Sequence, residues 1–325
     1  MIVPRYWAEG RAQHREKGRQ VTVRRFGWSN VSLGEAQANA DSRAADALRQ
    51  VLAGENLRKH EPKLAYNGAD GVPIREEIVA EHGETVITRN SYGALCLNTP
   101  NALFADVDFL PPSTAPAGCV VILLLLMLSA WQARNEGSFK TFVGLAFLSA
   151  IAGSLIAWAA PRLFLLVNGG PEKLANRRLR RFVRSHPDWR IRLYRTPAGL
   201  RALVMHRTIT PTEPEVSEFF AALGTDPLYV KMCQRQRCFR ARVSPKPWRI
   251  GVASHLKPRP GIWPVRPEKL RERSEWLRAY DDKSTEYASC RFEKELGDGA
   301  VNPEVQVVQR LHDQYSRAES DLPIA

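Results

Sequence analysis

The chain has 325 residues, 44% of them hydrophobic, and carries 47 Lys and Arg against 34 Asp and Glu, a formal net charge of +13. That length holds about two domains, or one soluble domain with a membrane insert, and a negative mean hydropathy excludes a polytopic transporter. The basic balance favours anionic partners such as phosphates, nucleic acid or acidic lipid head groups. The five cysteines, Cys96, Cys119, Cys233, Cys238 and Cys290, are too few and too irregular for a disulfide framework and fit a reducing compartment.

The opening Met1-Ile-Val-Pro-Arg-Tyr-Trp is too short an apolar start for a signal peptide. Gln20–Trp28 alternates as a strand does. Ser32-Leu-Gly-Glu35 is a capping-box pattern, and the helix it opens carries Leu33, Ala36, Ala40, Ala44, Ala47, Leu48 and Val51 at helical spacing, with Gly54 as its stop. Two strands follow at Glu76–Glu81 and Thr85–Arg89. A turn-rich stretch, Asn98–Asn101, precedes an apolar strand over Ala102–Phe109 that contains Asp106 and Asp108.

Two uncharged apolar stretches come next, Ala115–Ala133 and Thr141–Pro161, joined by the polar link Gln132–Lys140. Each is near the roughly 20 residues that a helix needs to cross a bilayer core of about 30 Å. They read as a transmembrane helical hairpin, with Trp131 and Trp158 near the span ends. A buried globular hairpin is the alternative, and the wholly apolar run Val120–Leu128 argues against it. Pro171–Arg195 holds nine basic residues and two acidic ones, which the positive-inside tendency assigns to the cytoplasmic side. Two crossings then place both termini in the cytoplasm, at the inner (cytoplasmic) membrane. On this reading residues 1–114 and 162–325 are two halves of one cytoplasmic α+β domain, interrupted by the hairpin at 115–161.

Past the hairpin, Arg190–Thr196, a Pro197-Ala198-Gly199 turn and Leu200–His206 read as a β-hairpin. Glu213–Leu223 reads as a helix stopped by Gly224, and Cys238–Val243 as a strand. Helices follow over Glu268–Tyr280 and Pro303–Arg317, where Pro303 suits a first helical position.

Strand alternation puts Asp106 and Asp108 on one face. Two such carboxylates repel unless a cation sits between them, and Mg²⁺, held by one or two carboxylates and by substrate phosphates, is a natural partner. Solvated acids at the end of a strand are the plainer reading. Lys231–Pro260 has nine Lys and Arg and no acid, interleaved with Phe239 and Trp248, a composition that suits phosphates and stacked bases or anionic lipid. Cys233-X4-Cys238 has a spacing seen in zinc sites, with Cys290 and His312 to complete it; buried free thiols are the alternative.

The order of these segments resembles the catalytic core of archaeo-eukaryotic-type primase-polymerases, over roughly residues 100–250 without the apolar stretches. The resemblance implies a primase-like sheet with flanking helices. It matches Asp106 and Asp108 to that family's paired metal-binding catalytic acids and Asp226 to its third acid. Arg240, Arg242 and Lys246 match its phosphate-facing basic residues. Arg201 stands where that family carries a nucleotide-binding His, so the resemblance makes it a phosphate ligand. The overall layout also resembles a group of bacterial two-span membrane proteins. The expected function is a membrane-anchored domain that binds a nucleotide or nucleic-acid phosphate, with Mg²⁺ through the paired aspartates. The alternatives are a non-catalytic membrane protein whose basic face binds anionic lipid or a protein partner, and a metal-dependent transferase. The last is disfavoured by the lack of a dinucleotide-type βαβ unit. Closeness of Asp226 to Asp106 and Asp108 separates these readings.

Overall fold

The computed structural model describes residues 3–16, 18–61, 72–109, 115–136, 139–252 and 255–325, and the protein is of mixed α+β class. The N-terminal part is an antiparallel ribbon of β1 (Tyr6–Glu16) and β2 (Arg19–Ser29), covered by α1 (Leu33–Leu52). Ser32 caps α1 by accepting a hydrogen bond from Glu35 N at 3.1 Å. The helix turns Ala36, Ala40, Ala44 and Ala47 inward, and this small-residue face lets it lie close on the ribbon. A Cβ at Gly10 or Gly27 would collide with the backbone of Ala40. β1 has no counterpart in the sequence reading: the adjacent buried Trp7 and Ala8 break its alternation, and its second half, from Arg11 to Glu16, is almost wholly polar.

β3 (Glu77–His82), β4 (Thr85–Arg89) and β5 (Leu95–Thr99) run as an antiparallel meander, and β6 (Phe104–Asp108) starts a different sheet. Leu95–Thr99 is thus a strand where the sequence reads partly as a turn. Asn98 is fully buried there, and its amide donates to Val86 O and to Thr88 Oγ1, both at 3.0 Å.

α2 (Ala115–Glu136) and α3 (Phe139–Val167) follow and pack against each other. Ser129 and Ser149 hydrogen-bond across the pair at 2.8 Å, and Ile122 fills the space above Gly153. Residues 137–138 of the expected link lie outside the described residues. Among the described residues one helix, over Phe142–Val167, is long and apolar enough to cross a membrane; the apolar part of its neighbour, Cys119–Gln132, is shorter. Only 11% of the apolar window is buried within the protein, so this is not the core helix of a globular fold. α3 also runs through Pro161, where the expected span stops, to Val167.

α4 (Pro171–Ser185) comes next, then the hairpin β7 (Ile191–Thr196) and β8 (Gly199–Val204). α5 (Pro214–Leu223) ends on Gly224, whose φ of 72° is the left-handed cap expected of a helix-stopping glycine. α6 (Pro227–Gln236), β9 (Phe239–Arg242), α7 (Leu270–Ser284), β10 (Arg291–Leu296) and α8 (Pro303–Ser316) complete the chain. Neither α4 nor α6 stands out in the sequence as a helix, the first masked by its charge and the second by its Asp-Pro start.

The two four-stranded sheets are ordered β10-β7-β8-β6 and β3-β4-β5-β9. Each joins strands from before and after the apolar pair: β6 to β8, and β5 to β9. One core cluster runs through both sheets, from Ile87 and Leu97 to Phe104, Leu193 and Leu203. It is closed by Leu179 and Phe182 of α4 and by Phe219 and Phe220 of α5. The aliphatic strands and the helix faces therefore bury into a common interior rather than into two separate cores.

Candidate functional site

A cavity of about 430 Å³ is lined by all seven residues that the sequence singles out: Asp106, Asp108, Arg201, Asp226, Arg240, Arg242 and Lys246. Glu76, Tyr92 and Arg249 line it as well. Both sheets contribute. β6 pairs with β8 so that Asp106 faces Arg201 and Asp108 faces Gly199. Gly199 is required there, since a Cβ would strike the backbone of Val107. β9 delivers Arg240 and Arg242 from the other sheet, and Asp226 stands at the start of α6.

Two of the basic residues are committed within the protein. Arg201 is almost fully buried and grips Asp106 with both ends of its fork, Nε to Oδ1 at 2.7 Å and Nη2 to Oδ2 at 2.9 Å. Its remaining nitrogen, Nη1, donates to Arg242 O at 2.8 Å and to His312 Nε2 at 3.3 Å. Burial opposes the charge on Arg201, but Asp106 outweighs it and holds the guanidinium protonated. Arg240 donates to both oxygens of Glu76, at 2.8 and 2.7 Å, and to Asn98 Oδ1 at 2.9 Å. Glu76 is itself buried and accepts from Thr88 Oγ1 at 2.7 Å. These pairs brace the two sheets around the cavity, which is a role different from the phosphate contact that the resemblance gives Arg201 and Arg240.

The other three cations stand differently. Among the described residues, Arg242, Lys246 and Arg249 form no ion pair; Arg242 donates Nη1 to Ser244 O at 2.9 Å. Arg249 Nη1 is buried with no hydrogen-bond partner among the described residues. Burial, then the charges of Arg242 and Arg249, lower the Lys246 pKa, while Asp108 opposes the change. Burial and Arg242 lower that of Arg249 in the same way. Once Asp106–Arg201 and Glu76–Arg240 are set aside, the lining holds two acids against three cations. Such a cluster carries an unbalanced positive field into a concave, partly dry space, where it attracts an anion.

Asp108 sits at the rim. Burial, then Asp106 and Asp226, push its carboxyl pKa up, against Lys246 and Arg249. Asp108 is therefore close enough to sense both of the other aspartates. They do not converge as three ligands of one ion, because no group of three His, Cys, Asp or Glu among the described residues is placed to hold a metal. The reason is local: Asp106 is turned to Arg201, and Asp226 accepts from Leu228 N at 3.0 Å as the N-cap of α6.

Of the two aromatic residues in the basic stretch, Phe239 is fully buried in the core, whereas Trp248 is 48% exposed. Trp248 lies edge-on to Tyr92, with ring centroids 5.3 Å apart, and Lys246 Nζ lies 5.5 Å from the Trp248 ring centroid. Burial raises the Tyr92 phenol to about 12, so it stays protonated at neutral pH. Residues 253–254 of that stretch lie outside the described residues. Cys233 and Cys238 are buried free thiols, and burial pushes the second up to about 12. Cys290 Sγ lies 3.9 Å from His312 Nε2, behind Arg201.

Glu76, Tyr92 and Arg249 escape the sequence reading. Arg249 falls in the basic stretch but carries no distinguishing neighbour, and Glu76 opens a strand with no sign of burial. A larger cavity of about 690 Å³, lined by Arg5, Glu81, Arg235 and Arg237 among others, holds none of the seven residues. Compared with protein-family models, with curated proteins and with solved structures, the chain matches none.

Proposed function

We propose that the protein is a membrane-anchored α+β domain that binds the phosphate of a nucleotide or nucleic acid in the cavity between its sheets. The observation that carries this reading is the trio Arg242, Lys246 and Arg249, unpaired among the described residues and gathered in the cavity lining, with Arg249 Nη1 buried and without a partner. The three side chains are half-buried, where a cation is less well hydrated than at the surface, and a buried guanidinium nitrogen with no acceptor can take one from an external anion. The exposed Trp248 beside Lys246 supports a ligand with a planar base, since aromatic faces stack any base. The primase-polymerase resemblance supports the same reading, because the residues it picks out from segments far apart in sequence share this cavity.

Mg²⁺ belongs to the proposal as an ion that arrives with the phosphate and is held by Asp108 beside Asp106. A cation there relieves the crowding that raises the Asp108 pKa. The proposed anchoring has α2 and α3 crossing as a pair, with both termini cytoplasmic. It draws support from their exposed apolar surfaces, including Leu123, Met127, Phe147 and Leu155, and from the basic helix that follows.

Isothermal titration of the full chain in detergent, with a nucleoside triphosphate and with inorganic phosphate, each with and without Mg²⁺, tests the site. Wild type should bind the triphosphate more tightly when Mg²⁺ is present. Arg242→Ala/Lys246→Ala should lose the phosphate, and Asp108→Asn only the Mg²⁺ dependence. No binding by wild type overturns the reading. Reporter fusions at Glu136 and at the C-terminus test the topology and should report opposite sides of the membrane.

A further inference from the structure

The run of nine basic residues after the apolar pair divides into two groups. Arg190, Arg192 and Arg195 lie on or beside β7 and are neutralised: Arg190 by Glu295, Arg192 by Glu295, Asp313 and Glu319, and Arg195 by Glu172 and Glu293. α4 carries the others, and there the pattern reverses. Lys173, Arg177, Arg180 and Arg184 recur at steps of four, three and four residues, which places them in one stripe along the helix. All four are exposed and form no ion pair among the described residues. Ala175, Leu179 and Phe182 lie on the opposite side of α4 and bury in the core. The apolar face of α4 is thus occupied, and its cationic face is free.

That face opens onto a cleft of about 550 Å³, formed by Gly169, Lys173, Asn176, Arg177, Arg180 and Lys294 together with Glu172. Lys294 reaches over from β10 and donates to Asn176 Oδ1 at 3.0 Å. Glu172, the acid of the cleft, is engaged by Arg195. The cleft therefore presents four cations with its one acid already paired.

Its position selects the ligand. The apolar helix ends at Val167, and α4 begins at Pro171. The turn between them uses Gly169 at φ 78° and Gly170 at φ 95°, a left-handed pair that L-residues other than glycine rarely adopt, so the chain changes direction at once. Arg162 turns back along α3, donating to Trp158 O at 2.7 Å with its guanidinium 4.2 Å from the Trp158 ring centroid. An Arg and a Trp so placed lie near the edge of a hydrocarbon layer. Beyond Arg162 the exposed apolar side chains Leu163, Phe164, Leu166 and Val167 carry the hydrocarbon-facing surface to the end of α3, so the polar turn at Gly169 and Gly170, rather than Arg162, marks the start of the head-group layer. The cleft then falls at the level of lipid phosphates.

We infer that the α3–α4 cleft is a binding site for the phosphate head group of an anionic phospholipid, held by Lys173, Arg177, Arg180 and Lys294. This inference rests on the membrane reading of α2 and α3 but not on the cavity between the sheets. Native mass spectrometry of the full chain, released from detergent with phosphatidylglycerol or phosphatidylcholine added, tests it. Wild type should retain one phosphatidylglycerol with at least about tenfold preference over phosphatidylcholine. Arg177→Glu/Arg180→Glu should erase that preference, and Arg177→Lys/Arg180→Lys should keep most of it. Lys294→Ala, far from α4 in sequence, should weaken it without reversing a charge. Equal retention of the two lipids by wild type, or displacement of the lipid by millimolar inorganic phosphate, overturns the inference. Alkaline extraction of membranes separates the two failures. A wild-type chain washed off the membrane overturns the anchoring and this site together. A chain that stays in the membrane without a lipid preference overturns the site alone.

Discussion

The cations of the cavity fall into two sets, alike in residue type and opposite in use. In one set each guanidinium is matched: Arg201 to Asp106, and Arg240 to Glu76 and Asn98. In the other, Arg242, Lys246 and Arg249 have no carboxylate partner among the described residues, and burial together with the Arg242 charge lowers the pKa of Lys246 and of Arg249. The difference teaches that residue type and position in a motif do not identify a ligand-binding side chain. An arginine whose fork is engaged is scaffold, and one in a cavity left short of acceptors is free to take an external one. The acids divide in the same way: Asp106 is locked in place, whereas Asp108 at the rim is left with a raised pKa that a cation or a proton relieves.

The largest effect should come from breaking a matched pair. Asp106→Ala leaves the Arg201 charge buried and unpaired, which should lower stability by about 3–5 kcal/mol; thermal unfolding of the solubilised chain measures this. Glu76→Gln keeps the shape but weakens the hold on Arg240 and should cost about 1–3 kcal/mol by the same measurement. Lys246→Ala, in the unmatched set, should leave the melting temperature almost unchanged while weakening the phosphate ligand about tenfold, the loss of one charge-assisted hydrogen bond. If Lys246→Ala destabilises the chain as much as Asp106→Ala, the contrast between the two sets is wrong.

The smallest effect concerns pH. The folded-state pKa of Asp108 lies above its unfolded value, so folding favours the protonated form. Its contribution to stability is fully present below the ordinary carboxylate value of about 4 and is lost as pH rises through the elevated one. Asp108→Asn should remove that decline, and melting curves of both proteins across the mildly acidic range will show whether it does. At the alkaline end, phosphate affinity should fall as pH approaches the lowered pKa of Lys246, earlier than an ordinary lysine would allow.

Much of the skeleton is legible in the sequence because it follows from local rules. Ser32 caps its helix, Gly224 stops another, and Pro303 occupies the first turn of α8. The alternation that places Asp106 and Asp108 on one face follows from strand geometry alone. What is not legible depends on partners distant in sequence. Arg201 and Arg242 look equally available until Asp106 is found 95 residues from the first, with both its oxygens in that arginine's grip. Arg190, Arg192 and Arg195 look continuous with the charge of α4 until β10 and the C-terminal segment bring their acids. Phe239 looks like a stacking surface until the β5–β9 pairing buries it. Helix α4 escapes notice because charged residues crowd the positions between Ala175, Leu179 and Phe182.

Strands on both sides of the apolar pair share each sheet, and this has a mechanical consequence. β6 leads out toward α2, α3 returns into α4, and β7 and β8 then close against β6. With α2 and α3 embedded, the domain hangs on two leashes rooted in one folded unit. One leash lets a domain swivel; two short ones restrict its rotation and hold it at a set attitude. Asp108, the last residue of β6, is separated from α2 by six residues, a reach of about 20–25 Å even when fully extended. On the proposed anchoring, the cavity mouth would be kept in a thin layer of solvent over the bilayer. A ligand already confined to that surface would search two dimensions rather than three and would meet the site in a restricted range of orientations.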